Sequence, residues 1–292
     1  MPEGLEIEMV RGEHVVINTA TGAALTREAH RMLDAHPRIF DDPFAARLLD
    51  PGVEEVIQLM ESMGTPEATA AVRCMVVGRS RYVEDRLARA VQRGVRQYVI
   101  LGAGLDSFAY RNDFGVKVFE LDLPQLLKWK REKTARAKLD HPAELNYVPI
   151  DFESESVMDA LRRSHYDVND PGFLSWVGVT PYLSPEAIES TLRSLASLAI
   201  GSEVVLSYCV PSGMWSSLDR ALADFAIPAA ESRGEPVRTF FTPKRIQEIL
   251  ASLGFKQVQH FGPEEAADLP EFQKREDLIR PQGFERYVAS FT

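Results

Sequence analysis

The sequence predicts an α/β fold in which a mainly parallel, seven-stranded sheet carries helices on both faces. Apolar runs typical of buried strands alternate with segments of helical length between residues 79 and 210. Gly and Pro residues punctuate most junctions, and two further strand patterns follow near the carboxyl end. The 292 residues are enough for one large core, and we expect a single domain over residues 1–292.

Residues 1–78 are expected to form a helical cover without strands. Residues 1–18 show no clear periodicity and are interpreted as an arm. Apolar residues recur at helical spacing in 19–34 and 53–63, and a shorter helix is predicted for 44–49. We expect this cover to pack on the sheet that follows it.

Residues 79–210 are expected to hold the cofactor-binding core. A helical pattern over 79–93 ends at Gly94, and Ser184 stands as the N-cap of a later helix. The predicted strands are 98–101, 116–121, 145–150, 173–179 and 203–210. The helices between them are 107–111, 124–139, 155–164 and 184–200.

After residue 210 the alternation stops, and residues 211–241 are predicted to be a helical lid insertion. Four apolar residues at helical spacing there could line an acceptor pocket or belong to ordinary core: Trp215, Leu218, Leu222 and Phe225. Residues 242–292 are predicted to contain a helix and two strands: 244–253, 256–261 and 285–291.

The stretch YVILGAGLDSFAYR joins a buried strand to a glycine turn. At Gly102, Ala103 and Gly104 a ligand can lie against bare backbone, with N–H groups directed at it. Two glycines alone are weak evidence, because many strand–helix turns hold them for backbone reasons. Glu120 and Asp122 end the next strand, about 20 residues beyond the first glycine, where a carboxylate can hold ribose hydroxyls.

These features indicate a ribose-containing cofactor. The glycine turn lacks both the third glycine of a dinucleotide fingerprint and the Gly-Lys-Ser/Thr of a P-loop. The missing glycine favours S-adenosylmethionine over a nicotinamide cofactor. There are two alternatives: a nicotinamide-dependent oxidoreductase, and a non-catalytic protein that binds a partner through its helical N-terminus.

Charge and composition argue against other functions. A formal net charge of −10 disfavours general binding to nucleic acid. The 2 cysteines lie far apart, and no His/Asp/Glu cluster has metal-ligand spacing, so we expect no metal. Without a secretory signal pattern or a long apolar run, we expect a cytoplasmic protein with no membrane partner. The oligomeric state stays open.

The chain resembles the leucine carboxyl methyltransferase-type family of class I S-adenosylmethionine-dependent methyltransferases, and within it the bacterial O-methyltransferase branch associated with secondary metabolism. The resemblance covers about residues 18–200 and rests on NTATGAALTREAH, FDDPFAARLL, RSRYVEDRL, YVILGAGLDSFAYR, VFELDLPQLLKWK, YVPIDF and FLSWVGVTPYLSPEAI. It implies a Rossmann-like fold and methyl transfer to a carboxylate or hydroxyl oxygen of a small molecule, such as a polyketide. Methylation of a protein C-terminal carboxylate is the alternative.

The resemblance also implies roles for single residues. The glycine turn would lie under the methionine part and ribose, and Asp122 would contact the ribose hydroxyls, with Glu120 the other candidate. Asp151 and Phe152 would meet the adenine. The cofactor-binding residues expected in this way are Arg79, Arg81, Gly102, Ala103, Gly104, Asp106, Glu120, Asp122, Leu123, Asp151, Phe152 and Val177.

Two of these positions carry further expectations. Either Arg79 or Arg81 would pair with the methionyl carboxylate, and we favour Arg79. Val177 stands where family members commonly have Glu, so another group must contact the cofactor ammonium. A lysine found in the N-terminal segment of the eukaryotic enzymes has no match here, which weakens the transfer of their protein substrate.

On the acceptor side, Tyr182 and Tyr208 follow or end predicted strands and are expected to face the acceptor. Methyl transfer from a sulfonium needs alignment more than acid–base help. None of the 6 histidines lies at a predicted strand carboxyl end, so no general base is evident. This favours an acceptor that is already ionised.

Overall fold

A computed structural model describes residues 5–8, 14–273 and 275–292. The strands are β1 (Leu5–Glu8), β2 (His14–Ile17), β3 (Gln97–Leu101), β4 (Lys117–Asp122), β5 (Leu145–Pro149), β6 (Phe173–Trp176), β7 (Glu203–Cys209), β8 (Lys256–Phe261) and β9 (Glu285–Phe291). The helices are α1 (Thr19–Leu33), α2 (Val53–Ser62), α3 (Pro66–Gln92), α4 (Pro124–Arg136), α5 (Val157–Arg162), α6 (Pro185–Leu195), α7 (Ser217–Glu231), α8 (Pro243–Ser252) and α9 (Pro263–Ala267). Short 3-10 turns lie at Ala46–Leu48, Phe108–Arg111, Thr180–Tyr182 and Ser212–Met214.

The main sheet confirms the predicted fold class. Its seven strands lie in the order β5-β4-β3-β6-β7-β9-β8. The pairs from β5 to β7 are parallel, and β9 runs antiparallel to both of its neighbours. The strand order reverses at β3, which lies between β4 and β6, and ligands of such sheets bind outside the strand ends at this point.

The core is built on both faces of this sheet. On one face Val83, Leu87 and Ala90 of α3 pack with strand residues such as Tyr98 and Phe173. On the other face α5, α6 and α8 cover a second cluster that contains the fully buried Trp176. With both faces covered, the central strands are mostly apolar, and the few polar residues inside them, such as Glu120 and Ser207, are buried.

The N-terminal cover differs from the prediction in two ways. It contains strands, because β1 and β2 pair with each other as an antiparallel hairpin. The rest of the expected arm, 1–4 and 9–13, lies outside the described residues. The long helix α3 begins at Pro66 rather than at Arg79, since Thr65 caps it by accepting a hydrogen bond from the Ala68 N–H, and nothing after it interrupts the helix.

Other boundaries shift more modestly. Strand β6 ends at Trp176 rather than at residue 179, because Gly178 adopts a φ of 71° and turns the chain away from the sheet. The insertion 211–241 is helical mainly in α7, which begins with a reciprocal capping box between Ser216 and Asp219. The division of the chain into cover, core, insertion and C-terminal part stays a prediction.

Candidate functional site

A cavity of about 620 Å³ opens at the carboxyl ends of β3, β4 and β6. Its floor is the glycine turn with Asp122 and Phe152, and its walls come from α1, α3 and the end of α7. A larger, more open cavity of about 760 Å³ lies at the outer edge of β5 and is lined by none of the predicted site residues. The strand-end cavity is therefore the candidate site.

The glycine turn is shaped by contacts that exclude side chains. Gly102 has a φ of 74° and Gly104 a φ of 47°, in the left-handed region that favours glycine. A Cβ atom added at Gly102 would lie 2.3 Å from a methyl carbon of Val179. At Gly104 an added Cβ would lie 3.0 Å from Ala20, which brings the start of α1 against the turn.

The Asp122 carboxylate is held at the end of β4 by backbone N–H groups. Oδ2 accepts a hydrogen bond from the Gly104 N–H at 2.7 Å, and Oδ1 accepts one from the Leu123 N–H at 2.8 Å. Burial raises the pKa of Asp122, and these two donors offset only part of that effect. The carboxylate is thus fixed in place and lines the cavity, as Leu123 does.

Glu120 does not reach the cavity, although it was the other candidate for the ribose. It lies one pleat further into β4, fully buried, with its Oε2 atom 2.6 Å from Nζ of Lys130 on α4. Burial raises the pKa of Glu120 to about 7 despite this partner. We therefore assign Glu120 to a buried ion pair and not to the site.

The two candidate arginines point to different sides of α3. Arg79 lines the cavity close against Gly178, where an added Cβ would lie 2.6 Å from its Nη1 atom. Arg81 faces away and pairs with Asp85 at 2.8 Å and Glu271 at 2.7 Å. Residues two apart on a helix do not share a face, so only one of the pair can face the cavity.

The adenine pair also separates. Phe152 lines the cavity and lies 6.1 Å from the ring centre of Trp176, whereas Asp151 is exposed and accepts a hydrogen bond from the Glu153 N–H. Asp106 lines the cavity and caps the following turn through the Phe108 N–H. Val177 lines the cavity, as do all three residues of the glycine turn.

Of the two tyrosines, Tyr182 lines the cavity and Tyr208 does not. Burial raises the pKa of the Tyr182 hydroxyl well above its ordinary value, so the phenol stays protonated. Tyr208 faces the other side of β7, in the core, where its hydroxyl lies 3.1 Å from Nδ1 of His260. Its neighbour Ser207 takes the cavity side of the strand and accepts a hydrogen bond from the Gly178 N–H.

The helical stripe of the insertion is divided between core and cavity. Phe225 lines the cavity together with Ala226, Ala229 and Ala230 of the same helix. Trp215, Leu218 and Leu222 pack in a core cluster with Phe284. No histidine lines the cavity among the residues whose side chains the structure describes.

Sequence reasoning missed a network that supports the glycine turn. Asp42 accepts hydrogen bonds from Arg27 at 2.8 Å and Ser107 at 2.7 Å, and Arg27 also donates to the Leu105 carbonyl. Burial opposes ionisation of Asp42, but the charges of Arg27 and Arg111 with the Ser107 hydrogen bond hold its pKa below the usual range. The signal in the sequence was the stretch FDDPFAARLL, which contributed to the family resemblance but assigned no role to Asp42.

Sequence reasoning also missed a long-range contact between two parts of the chain that line the cavity. The Glu235 carboxylate accepts hydrogen bonds from the Thr19 N–H at 2.8 Å and the Thr19 hydroxyl at 3.0 Å. This pair, called the roof clasp below, joins the start of α1 to the turn after α7. Arg233 lies beside it and also lines the cavity.

The described part of the chain has neither a cluster of possible metal ligands nor a helix able to span a membrane. Within residues 5–8, 14–273 and 275–292, no three His, Cys, Asp or Glu side chains are grouped to hold a metal ion. None of the helices there combines the length and apolar character needed to span a bilayer.

Comparisons with known proteins all point to methyltransferases. A family model described as leucine carboxyl methyltransferase matches residues 20–196. YktD of Bacillus subtilis, whose name assigns it provisionally to the S-adenosyl-L-methionine-dependent methyltransferases, is 29% identical over 89% of this chain and 93% of its own. A Mycobacterium marinum protein with the same provisional name is 31% identical over 70% of this chain and 71% of its own.

Solved structures support the fold. A DUF574-family protein of Streptomyces avermitilis has a TM-score of 0.56 at 15% identity, with 93% of this chain and 97% of that one covered. The S-adenosylmethionine-dependent methyltransferase SibL has a TM-score of 0.50 at 18% identity, with 92% of this chain and 69% of that one covered. At such identities the likeness concerns the fold alone.

Proposed function

The chain belongs to the leucine carboxyl methyltransferase family of S-adenosylmethionine-dependent methyltransferases, and on that basis we propose that it methylates a carboxylate or hydroxyl oxygen of a small molecule. One observation carries the proposal: the cofactor-type residues and an apolar compartment share one roofed cavity. Its volume of about 620 Å³ falls within the range of small-molecule sites.

The residues of the cavity suit S-adenosylmethionine. The glycine turn offers exposed backbone at positions where a Cβ atom would be too close to its neighbours. Asp122 offers a fixed acceptor suited to hydroxyl donors. Phe152 supplies an aromatic face, and Arg79 supplies a cation for a carboxylate. Bound there, the cofactor supplies an activated methyl group on a sulfonium.

The chain's own residues would position the acceptor and exclude water. Phe225 and the alanines of α7 give the acceptor compartment an apolar wall, and Tyr182 stands at the strand ends as a hydrogen-bond donor. Alignment of this kind is the main contribution an enzyme makes to such a displacement. The acceptor oxygen forms its bond to the methyl carbon as the carbon–sulfur bond breaks, with the electron pair left on sulfur.

Methylation of a protein C-terminus is the second candidate, favoured by the description of the matching family model. A protein chain end would have to enter beside the roof clasp, whose Thr19 and Glu235 both line the cavity. This bridge between two parts of the lining favours a small acceptor.

The first test is calorimetric titration of the protein with S-adenosylmethionine and S-adenosylhomocysteine. We expect micromolar binding of both, followed by methyl transfer from a radiolabelled cofactor to members of a panel of aromatic acids and phenols. Mild alkali releases the label from a methyl ester and not from an ether, so the product identifies the oxygen. Failure of a folded protein to bind either ligand would refute the proposal.

A further inference from the structure

Arg233 lies in the turn between α7 and Glu235 and lines the cavity beneath its roof. Its guanidinium rests against α1: a Cβ added at Gly22 would lie 3.1 Å from its Nη1 atom. The absence of a side chain at Gly22 therefore gives the guanidinium its place. Arg233 and Arg79 approach the cavity from different elements, the turn after α7 and the helix α3.

The charge of Arg233 has no partner within the described part of the chain. Its Nε atom is buried and makes no hydrogen bond. Burial lowers the pKa of Arg233, and the nearby Glu235 carboxylate opposes this effect through its charge, without a hydrogen bond. The nearby Glu235 carboxylate is engaged by Thr19 in the roof clasp.

The other arginines that line the cavity each have an acid beside them. Arg27 lies 2.8 Å from Asp42, Arg111 lies 2.8 Å from Glu84, and Arg79 lies 3.5 Å from Glu285. Arg233 is half-buried, and its guanidinium stays protonated although the buried Nε atom has no acceptor. Arg233 is thus the cavity cation that lacks a protein counter-ion in the described residues.

We propose that Arg233 is the anion subsite of the acceptor, and that the acceptor is an apolar carboxylic acid methylated on the carboxylate that this guanidinium binds. The inference rests on the proposed function and narrows its acceptor class. The apolar wall formed by Phe225, Ala226 and Ala229 receives the body of the acid. A guanidinium donates in a planar fork that matches a carboxylate.

The charge balance of the reaction fits this subsite. One carboxylate oxygen attacks the methyl carbon and the carbon–sulfur bond breaks, so an anion and a cation yield a neutral ester and a neutral thioether. No proton is released, which agrees with a cavity without a histidine among the described side chains. The ester no longer pairs with Arg233, so the product leaves more readily than the acid.

The test uses two probes of similar shape, phenylacetate and its neutral analogue phenylacetamide, titrated into protein saturated with S-adenosylhomocysteine. We expect wild type to bind phenylacetate at least tenfold more tightly than phenylacetamide. Arg233→Gln should remove that preference and change the affinity for S-adenosylhomocysteine less than twofold. Arg220→Gln is the matched control, since Arg220 is exposed on α7 over Trp215.

A second variant covers the case in which Arg233→Gln folds poorly. Gly22→Ala keeps the arginine but crowds its Nη1 atom, and should weaken phenylacetate binding severalfold with S-adenosylhomocysteine binding unchanged. The inference is overturned if wild type does not distinguish the two probes, including by binding neither. It is also overturned if Arg233→Gln loses S-adenosylhomocysteine and keeps phenylacetate, because the guanidinium then serves the cofactor. Failure of wild type to bind S-adenosylhomocysteine would instead refute the proposed function.

Discussion

Replacing Asp122 with Asn tests the cofactor site at its most constrained point. Both carboxylate oxygens accept backbone N–H groups, from Gly104 at 2.7 Å and Leu123 at 2.8 Å. An asparagine amide presents one NH₂ group, so one of these donors would face another donor. The variant therefore loses a charged acceptor for the ribose and also disturbs the glycine turn.

The size of the effect follows from these contacts. A hydrogen bond to a charged group contributes about 1.5–3 kcal/mol, and about 1.4 kcal/mol corresponds to a tenfold change in affinity. Loss of one such bond to a ribose hydroxyl should weaken S-adenosylhomocysteine binding by about 10- to 100-fold. Isothermal titration calorimetry, with circular dichroism to confirm folding, measures this change.

Glu120→Gln is the matched control, two residues away on the same strand. It keeps the size of the side chain and replaces the carboxylate that faces Lys130 with a neutral amide, much as protonation of Glu120 does. Because the pKa of Glu120 is raised in the folded protein, folding favours the neutral form of this group, and we expect the variant to fold. We expect S-adenosylhomocysteine affinity within twofold of wild type. The reasoning is refuted if Asp122→Asn binds normally, or if Glu120→Gln loses affinity as severely.

Three further changes test other parts of the structure. Gly102→Ala combines a φ of 74° with a Cβ placed 2.3 Å from Val179, so we expect a Tm lower by several degrees and loss of S-adenosylhomocysteine binding. Unchanged calorimetry in Gly102→Ala would contradict this account of the turn. The pKa of Glu120 is raised from 4.5 to about 7 in the folded protein, so the folded state holds this proton more tightly than the unfolded state does. The contribution of Glu120 to folding stability should therefore fall as pH rises from 4.5 to 7. Urea unfolding of wild type at both ends of that window should show a steeper fall than in Glu120→Gln, and equal slopes would argue against the assignment. Glu235→Ala removes the roof clasp, so stopped-flow measurements should show S-adenosylhomocysteine leaving at least fivefold faster, whereas an unchanged dissociation rate would show that the clasp does not retain ligands.

The parts of the fold that are determined by residues close together in the sequence were predictable. The glycine turn, the acid at the end of β4 and the succession of main-sheet strands along the chain all follow from local patterns of apolar residues, glycine and proline. The start of α3 was missed because the regular helical pattern of charged residues begins at Arg79, whereas the capping Thr65 is followed by small, alanine-rich residues. The hairpin of β1 and β2 was missed because these short strands lie outside the main sheet and, among the described residues, pair with each other.

The site needed long-range information that no local pattern contains. Glu120 and Asp122 share one face of β4 and are both buried, but Glu120 pairs with Lys130 on the next helix and only Asp122 lines the cavity. Side chains along β7 point alternately to the two faces of the sheet, and the sequence does not show which face meets the cavity. Tyr208 lies on the face away from it. Glu235 and Thr19 are 216 positions apart in the sequence, so the residues next to Glu235, a Gly and a Pro, indicated a turn and gave no sign of this contact.

The strength of the roof clasp sets how often the cavity opens. Two hydrogen bonds from Thr19 to one carboxylate are worth about 3–6 kcal/mol together, which leaves about one molecule in a hundred to one in ten thousand unclasped. Loop motions reach about a million events per second, so even the lower fraction gives about a hundred openings per second. Typical enzymes turn over about ten times per second. A contact made by one carboxylate is therefore strong enough to stay formed most of the time and weak enough to leave the exchange of ligands off the rate-limiting path.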